Sequence, residues 1–218
     1  MNSTQDPPDG PTPMGSETPE MPRRFVILDR DGTINEERYY LSNPEDVVLL
    51  PGVLEGLRSL RALGLGLVVV TNQSAIGREY FDAKRLDEIH LRLQGLLAEG
   101  GVTLDRIYTC PHLPEEACAC RKPRPGLVLR AEKDFHFDSK EAIVIGDKAC
   151  DVLLSKNLGS KTILVTTGYG AHVAQEGTVE PDFIAENLSA AAHIVEDLLK
   201  AEPRSTGHVI DPWGTPDD

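Results

Sequence analysis

Two periods of apolar residues alternate along this chain. Phe25-Val26-Ile27-Leu28 is an unbroken apolar run of strand length, as expected of a strand covered on both faces. Comparable runs recur at 65–70, 104–109, 142–146 and 161–166. Between them the spacing lengthens to three and four residues, which gathers apolar side chains on one face of a helix. Val53, Leu57, Leu60 and Leu63 predict a helix over 51–63 with Gly64 as its C-terminal cap. Leu86, Ile89, Leu93 and Leu97 predict another over 83–99, opened by Asp82 and closed by Gly100-Gly101. His90 within it reads as a surface or packing residue. Pro125 suits the first turn of a helix ending near 135, Gly159 caps one over 150–157, and Asn187 or Ser189 opens a last one over 190–201. Strands alternating with helices predict an α/β fold, a Rossmann-like three-layer sandwich with a mostly parallel central sheet and no large cap domain.

Some stretches carry neither period. Residues 34–51, with Tyr39, Tyr40 and Pro44, read as a loop or small flap over the site, and 168–170 as a loop. Residues 1–23 are rich in Pro, Ser, Thr, Asp and Glu, the composition of a disordered leader. The folded domain is expected over 24–201. Residues 202–218 read as a loose tail, in which Trp213 has no physical account.

Four polar clusters follow directly on predicted strands: Asp29-Arg30-Asp31-Gly32-Thr33, Thr71-Asn72-Gln73-Ser74, Cys110-Pro111-His112 and Gly146-Asp147-Lys148. In a parallel sheet these ends share one edge, where open α/β sheets bind ligands. Asp29 and Asp31 lie two apart and point the same way, and close anions call for a hard cation such as Mg²⁺. Asp147 and the main chain or side chain of Asp31 complete that metal site with Asp29, and Asp151 orients it. A carboxylate beside a metal can attack phosphorus while a second gives and then takes a proton. Thr71, Asn72, Gln73 and Ser74 offer donors for phosphate oxygens; Lys122, Arg121 and Lys148 form a cationic island. Each cluster alone has a plainer reading, as a solvated Asp-rich turn, a strand-end Gly-Asp turn or solvated surface cations.

Cys110, His112, Cys118 and Cys120 supply three thiolates and one imidazole, a closed tetrahedral set for Zn²⁺ with no position left for catalysis. Unliganded thiols are the alternative. Such a zinc is structural, and it would hold Arg121 and Lys122, the next residues in sequence, over the substrate. Cys150 stands apart and reads as a buried thiol.

Composition narrows the field. The 218 residues are 40% hydrophobic and 26% charged, ordinary for a soluble globular chain. A formal net charge of -13 argues against nucleic acid and anionic membranes as partners, so an anionic substrate needs local positive charge. No apolar run reaches the length of a membrane span, and no apolar signal core opens the chain. The chain is expected to be a cytoplasmic monomer.

Asp29-Arg30-Asp31-Gly32-Thr33-Ile34-Asn35, Thr71-Asn72-Gln73-Ser74, Cys110-Pro111-His112 with Cys118-Ala119-Cys120-Arg121-Lys122-Pro123, and Gly146-Asp147-Lys148 together resemble the haloacid-dehalogenase-like phosphatases. Within them the resemblance is to the D-glycero-D-manno-heptose-1,7-bisphosphate 7-phosphatases, relatives of the histidinol-phosphate phosphatases. It implies that Asp29 is the nucleophile, that Asp31 is the acid/base, and that Asp29, Asp31 and Asp147 bind Mg²⁺ with Lys148 beside them. It further implies that Thr71 and Lys122 stabilise the phosphoryl group, that Arg121 recognises substrate, and that structural Zn²⁺ sits on Cys110, His112, Cys118 and Cys120. The expected reaction is hydrolysis of a phosphorylated sugar, with histidinol phosphate or another small monoester as the alternative substrate. A zinc-stabilised, non-catalytic phosphosugar-binding protein is the alternative of another class. Glu37-Arg38-Tyr39-Tyr40 departs from the family pattern of an Asp and a Gly-Tyr pair lining the pocket, and the segment between the zinc ligands is shorter than in the best-known members.

Overall fold

The computed structural model describes residues 24–201; the leader expected at 1–23 and the tail at 202–218, with Trp213, lie outside the described residues. Strands β1 (Phe25–Leu28), β2 (Gly66–Asn72), β3 (Arg106–Cys110), β4 (Ile143–Gly146), β5 (Lys161–Val165) and β6 (Phe183–Ala185) form one sheet in the order β3-β2-β1-β4-β5-β6. Every pairing is parallel. The helices are α1 (Val53–Ala62), α2 (Ala83–Glu99), α3 (Gly126–Phe135), α4 (Ala149–Leu158), α5 (Gly170–Glu176) and α6 (Leu188–Ala201).

The unbroken apolar runs arise because both sheet faces are covered. Val26, Leu28, Leu67, Val69, Ile145, Ile163 and Val165 face one way, onto Leu57 and Leu60 of α1, Ile89 and Leu93 of α2, and Ala191 and Val195 of α6. Their neighbours Phe25, Ile27, Val68, Val70 and Val144 face the other way, onto Leu127, Val128 and Ala131 of α3 and Leu154 and Leu158 of α4. This is the expected three-layer sandwich. Fully burying side chains of this kind stabilises the fold by about 1.5–3 kcal/mol each.

α1 and α6 approach closely through a glycine. A Cβ built on Gly56 would stand 2.5 Å from the Leu188 carbonyl oxygen, so only glycine fits at this point of α1.

A sixth strand and a helix, β6 and α5, add to the five expected strands. Strand β6 has three residues, with Ile184 half exposed at the sheet edge, so it makes no apolar run. In α5 only Gly170 and Val173 are buried, too little for a helical period, and Gly170 opens this helix rather than belonging to a loop. Residues 34–51 are more ordered than expected. Glu36 N–H donates to the Val48 carbonyl at 2.9 Å and Leu50 N–H to the Ile34 carbonyl at 3.0 Å, so the flap is tied across its neck.

Candidate active site

The four polar clusters meet at the carboxyl edge of the sheet. β1 and β4 are neighbours, and the Asp29 N–H continues their ladder by donating to the Ile145 carbonyl at 3.0 Å, which sets Asp29 beside Asp147. A cavity of ≈ 240 Å³ opens there, lined among others by Asp29, Asp31, Thr71, Ser74, Arg121 and Lys122. Asn72, Gln73 and Lys148 line it too.

Asp29 is buried between two ammonium groups. Lys122 Nζ stands 2.9 Å from its Oδ1 and Lys148 Nζ 3.3 Å from its Oδ2, and the Arg30 N–H donates to Oδ1 at 2.7 Å. Burial opposes its ionisation, but the two lysines outweigh burial and hold the carboxyl well below the usual carboxylate range. It is therefore an anion at neutral pH, held in place by these three partners. Lys122 is clamped from the other side by Asp151 at 2.7 Å. Burial works against the Lys122 charge; Asp151 and Asp29 overcome it and raise its pKa.

Asp31 does not join that anionic group through its side chain. Its oxygens are taken by Arg30 Nε at 3.0 Å and Nη2 at 2.7 Å, by Asn35 Nδ2 at 2.8 Å and by Gln73 Nε2 at 2.7 Å. What Asp31 presents to the acidic group is its main-chain carbonyl, the main-chain option for its place in the metal set. Lys148 Nζ donates to that carbonyl at 2.8 Å and to Asp147 Oδ1 at 3.3 Å, and pairs with Glu37 at 2.8 Å. Buried oxygens of Asp29, Asp147 and Asp151 lie within 4.8 Å of one another. The ammonium of Lys148 thus stands in for a cation among oxygens of Asp29, Asp31 and Asp147, and an all-oxygen donor set with cationic demand fits Mg²⁺. Burial pushes the Asp147 carboxyl up to about 7, with Lys148 opposing and the charges of Asp29 and Asp151 adding to the rise.

The glycine of the first cluster is required by this crowding. Gly32 has φ +85°, and a Cβ there would stand 2.1 Å from Asp147 Oδ2. Tyr169 N–H donates to the same oxygen at 2.9 Å.

Two expected substrate ligands are engaged with the protein. The Asn72 amide is paired with the Lys122 main chain, receiving from its N–H at 3.0 Å and donating to its carbonyl at 3.2 Å. Gln73 spends its amide on Asp31 and on Thr71 Oγ1, the latter at 2.9 Å. Both position neighbours, while Thr71, Ser74 and Arg121 face the cavity beside them.

The cysteine cluster closes as a tetrahedron. Sulfur atoms of Cys110, Cys118 and Cys120 stand 3.3–3.6 Å apart, and His112 Nδ1 lies 3.2 Å from Cys120 and 3.6 Å from Cys110. A tetrahedron with Zn–S of about 2.3 Å has S···S edges of roughly 3.8 Å, whereas a disulfide needs about 2.05 Å. The set fits zinc. Arg121 donates to the His112 carbonyl at 3.2 Å, so the loop and the cavity wall are one unit.

A HAD-hydrolase-like family model matches residues 119–191. The D-glycero-D-manno-heptose-1,7-bisphosphate 7-phosphatase of Thermosynechococcus vestitus is 39% identical over 185 residues, covering 78% of this chain and 94% of that protein. The chain belongs to the D-glycero-D-manno-heptose-1,7-bisphosphate 7-phosphatase family. The Pasteurella multocida heptose-bisphosphate phosphatase is 34% identical over 81% of this chain and 98% of its own length. The crystal structure of the B. bronchiseptica D,D-heptose 1,7-bisphosphate phosphatase, complexed with magnesium and phosphate, superimposes with a TM-score of 0.75 and 33% identity, covering 82% of this chain and 99% of that one.

Within this heptose-bisphosphate phosphatase frame, several site residues escape sequence reasoning. Glu37 sits on a flap without period, and nothing in its surroundings in sequence signals its ion pair with Lys148. Burial raises its pKa, with Lys148 opposing. Arg30 lies inside the recognised motif but is 1% exposed, a buried arginine that its sequence position does not announce. Cys150 lines the cavity beside Asp151, and burial pushes its thiol up to about 12.

Proposed function

We propose that this chain hydrolyses the 7-phosphate of D-glycero-D-manno-heptose 1,7-bisphosphate, or of a closely similar phosphorylated sugar, through an aspartyl-phosphate on Asp29. One observation carries the reading: Asp29 is a buried, ionised carboxylate held between two lysines at the floor of a cavity that also contains Asp31. The relatives of known name and the magnesium-and-phosphate complex of the B. bronchiseptica enzyme support it.

Asp29 attacks phosphorus, the bond from phosphorus to the ester oxygen breaks, and Asp31 gives its proton to the departing alkoxide. Asp31 then takes a proton from water, the hydroxide attacks phosphorus, and the bond to Asp29 breaks to release phosphate. In the free protein Asp31 is held ionised: burial opposes this, but the Arg30 charge and the hydrogen bonds outweigh it. The negative charge of an arriving phosphate raises the pKa of the carboxyl, as any close anion does, so that Asp31 takes up a proton from solvent as the substrate binds and holds it for the first transfer. Lys122 and Thr71 meet the equatorial oxygens, where charge collects during transfer. Ser74 and Lys148 bind the same group, Asn72 and Gln73 hold the residues that touch it, and Arg121 meets the far part of the sugar phosphate. Mg²⁺, held by Asp29, Asp147 and the Asp31 carbonyl, would neutralise phosphoryl charge and orient it. Zn²⁺ on Cys110, His112, Cys118 and Cys120 would be structural.

The test is phosphate release with Mg²⁺ from heptose 1,7-bisphosphate, histidinol phosphate and other small monoesters, repeated with excess chelator and with Asp29→Asn. Heptose bisphosphate should give the highest kcat/KM, and both chelator and Asp29→Asn should abolish turnover. Preference for histidinol phosphate would move the substrate assignment. No turnover of any ester by the magnesium-loaded protein would leave the binding-protein reading in its place.

A further inference from the structure

We propose that His90 is a positioning residue for this reaction, locking the Arg30 guanidinium that grips both oxygens of Asp31. The proposal rests on the acid/base role given to Asp31 above. Arg30 sits at a junction: its N–H donates to Asp29 at 2.7 Å, its Nε and Nη2 hold Asp31 at 3.0 and 2.7 Å, and its Nη1 meets His90 Nε2 at 3.1 Å. One residue therefore touches both reacting carboxylates.

The direction of the last contact follows from chemistry. A guanidinium has donors and no acceptor, so His90 Nε2 must accept and the ring must carry its proton on Nδ1. A protonated ring would turn the contact into a cation–cation clash. Burial and the Arg30 charge both disfavour that form, lowering the His90 pKa to about 4. His90 is thus a neutral acceptor at neutral pH, although the Asp31 charge works the other way. A guanidinium fixed by the bidentate carboxylate alone can rock about that axis; an acceptor at the third nitrogen stops the rocking. The flanking donors to Asp31 are Asn35 Nδ2 on Oδ1 and Gln73 Nε2 on Oδ2; Asn35 also meets Arg30, but through its main-chain N–H on the Arg30 carbonyl at 3.1 Å and not at the guanidinium.

The helical period of α2 points Ile89 into the core and turns the next residue toward β1's carboxyl end. The histidine also borders a separate cavity of ≈ 380 Å³ between α2, α3 and β3, whose lining includes Asp87, Tyr108, Thr109 and Arg130. That opening gives small molecules access to the ring's position, which makes a chemical rescue feasible.

Steady-state kinetics on the full chain test the idea. His90→Leu should lower kcat about tenfold with KM within about twofold, because binding of the phosphate does not use Asp31. His90→Gln, whose carbonyl restores an acceptor, should recover most of kcat, and added imidazole should partly restore His90→Ala. A melting curve for each variant shows whether it is folded, and the glutamine and imidazole arms decide the matter if the leucine variant is not. Normal kcat in His90→Leu, or glutamine and imidazole both without effect, would overturn the proposal. Asp31→Asn separates the two levels: its loss of turnover beside a fully active His90→Leu removes only the positioning role, whereas an active Asp31→Asn removes the acid/base reading as well.

Discussion

Single atoms decide much of this site. The absent side chain at Gly32 makes room for Asp147 and lets the backbone turn at φ +85°. Gly32→Ala should therefore cost stability by about 1–3 kcal/mol and remove most activity, read from urea unfolding and phosphate release. A variant of unchanged stability and rate would show that Asp147 can shift freely. His90 makes a pH prediction. Its pKa falls from 6.5 to about 4 on folding, so the unfolded chain binds more protons in that window. Its contribution is intact above pH 6.5 and is lost as pH falls from 6.5 towards 4. With allowance for its partial exposure the loss is on the order of 2 kcal/mol. Urea midpoints between pH 7 and 4 should fall less steeply in His90→Gln than in the parent chain.

Elements, in turn, transmit order to those atoms. The loop between β3 and α3 has its own short helical turn at Pro114–Glu116, and with zinc proposed at the cysteine cluster we expect its shape to depend on that metal. Arg121 is tied to that loop by the His112 carbonyl, and the Lys122 main chain by Asn72. Stripping zinc with a thiol-competitive chelator should lower Tm by several degrees and cut kcat/KM at least about tenfold, while Mg²⁺ still binds. Protein carefully purified and found by metal analysis to be free of zinc, yet fully active, would contradict this. The α1–α6 contact is equally narrow. Gly56→Val forces the helices apart at the Leu188 carbonyl, and we expect a loss of about 1–3 kcal/mol in urea unfolding with kcat unaffected.

For the whole molecule, the governing fact is an excess of negative charge with a local group of cations at the site. The formal charge of -13 coexists with Lys122, Lys148 and Arg121 lining a single cavity. Three buried carboxylates, Asp29, Asp147 and Asp151, bring oxygens within 4.8 Å of one another at this site, and we expect folding to be sensitive to the cation present. Millimolar Mg²⁺ should raise Tm in the parent chain, as a ligand that binds only the folded state must, and should raise it far less in Asp147→Asn. Equal shifts in the two proteins would place the magnesium elsewhere.

Much of the fold was legible because covered strands and amphipathic helices write their burial into local period. Phe25–Leu28 and the leucines of α2 carry that signal unambiguously. Strand β6 and helix α5 do not, since Ile184 and most of α5 face solvent and leave no pattern to read. The site was legible to the same extent. Asp29, Asp147, Lys122 and the Cys110-His112-Cys118-Cys120 cluster stand out because they follow strand ends of a parallel sheet, which share an edge. The partners of those residues were not. That Gln73 reaches Asp31, that Glu37 reaches Lys148, that Asn72 pairs with the Lys122 main chain and that His90 meets Arg30 depend on atoms brought together from distant segments. Period and residue type determine which element forms and which chemistry it can carry; a hydrogen bond between side chains sixty residues apart has no period, and only the closed tertiary structure decides it.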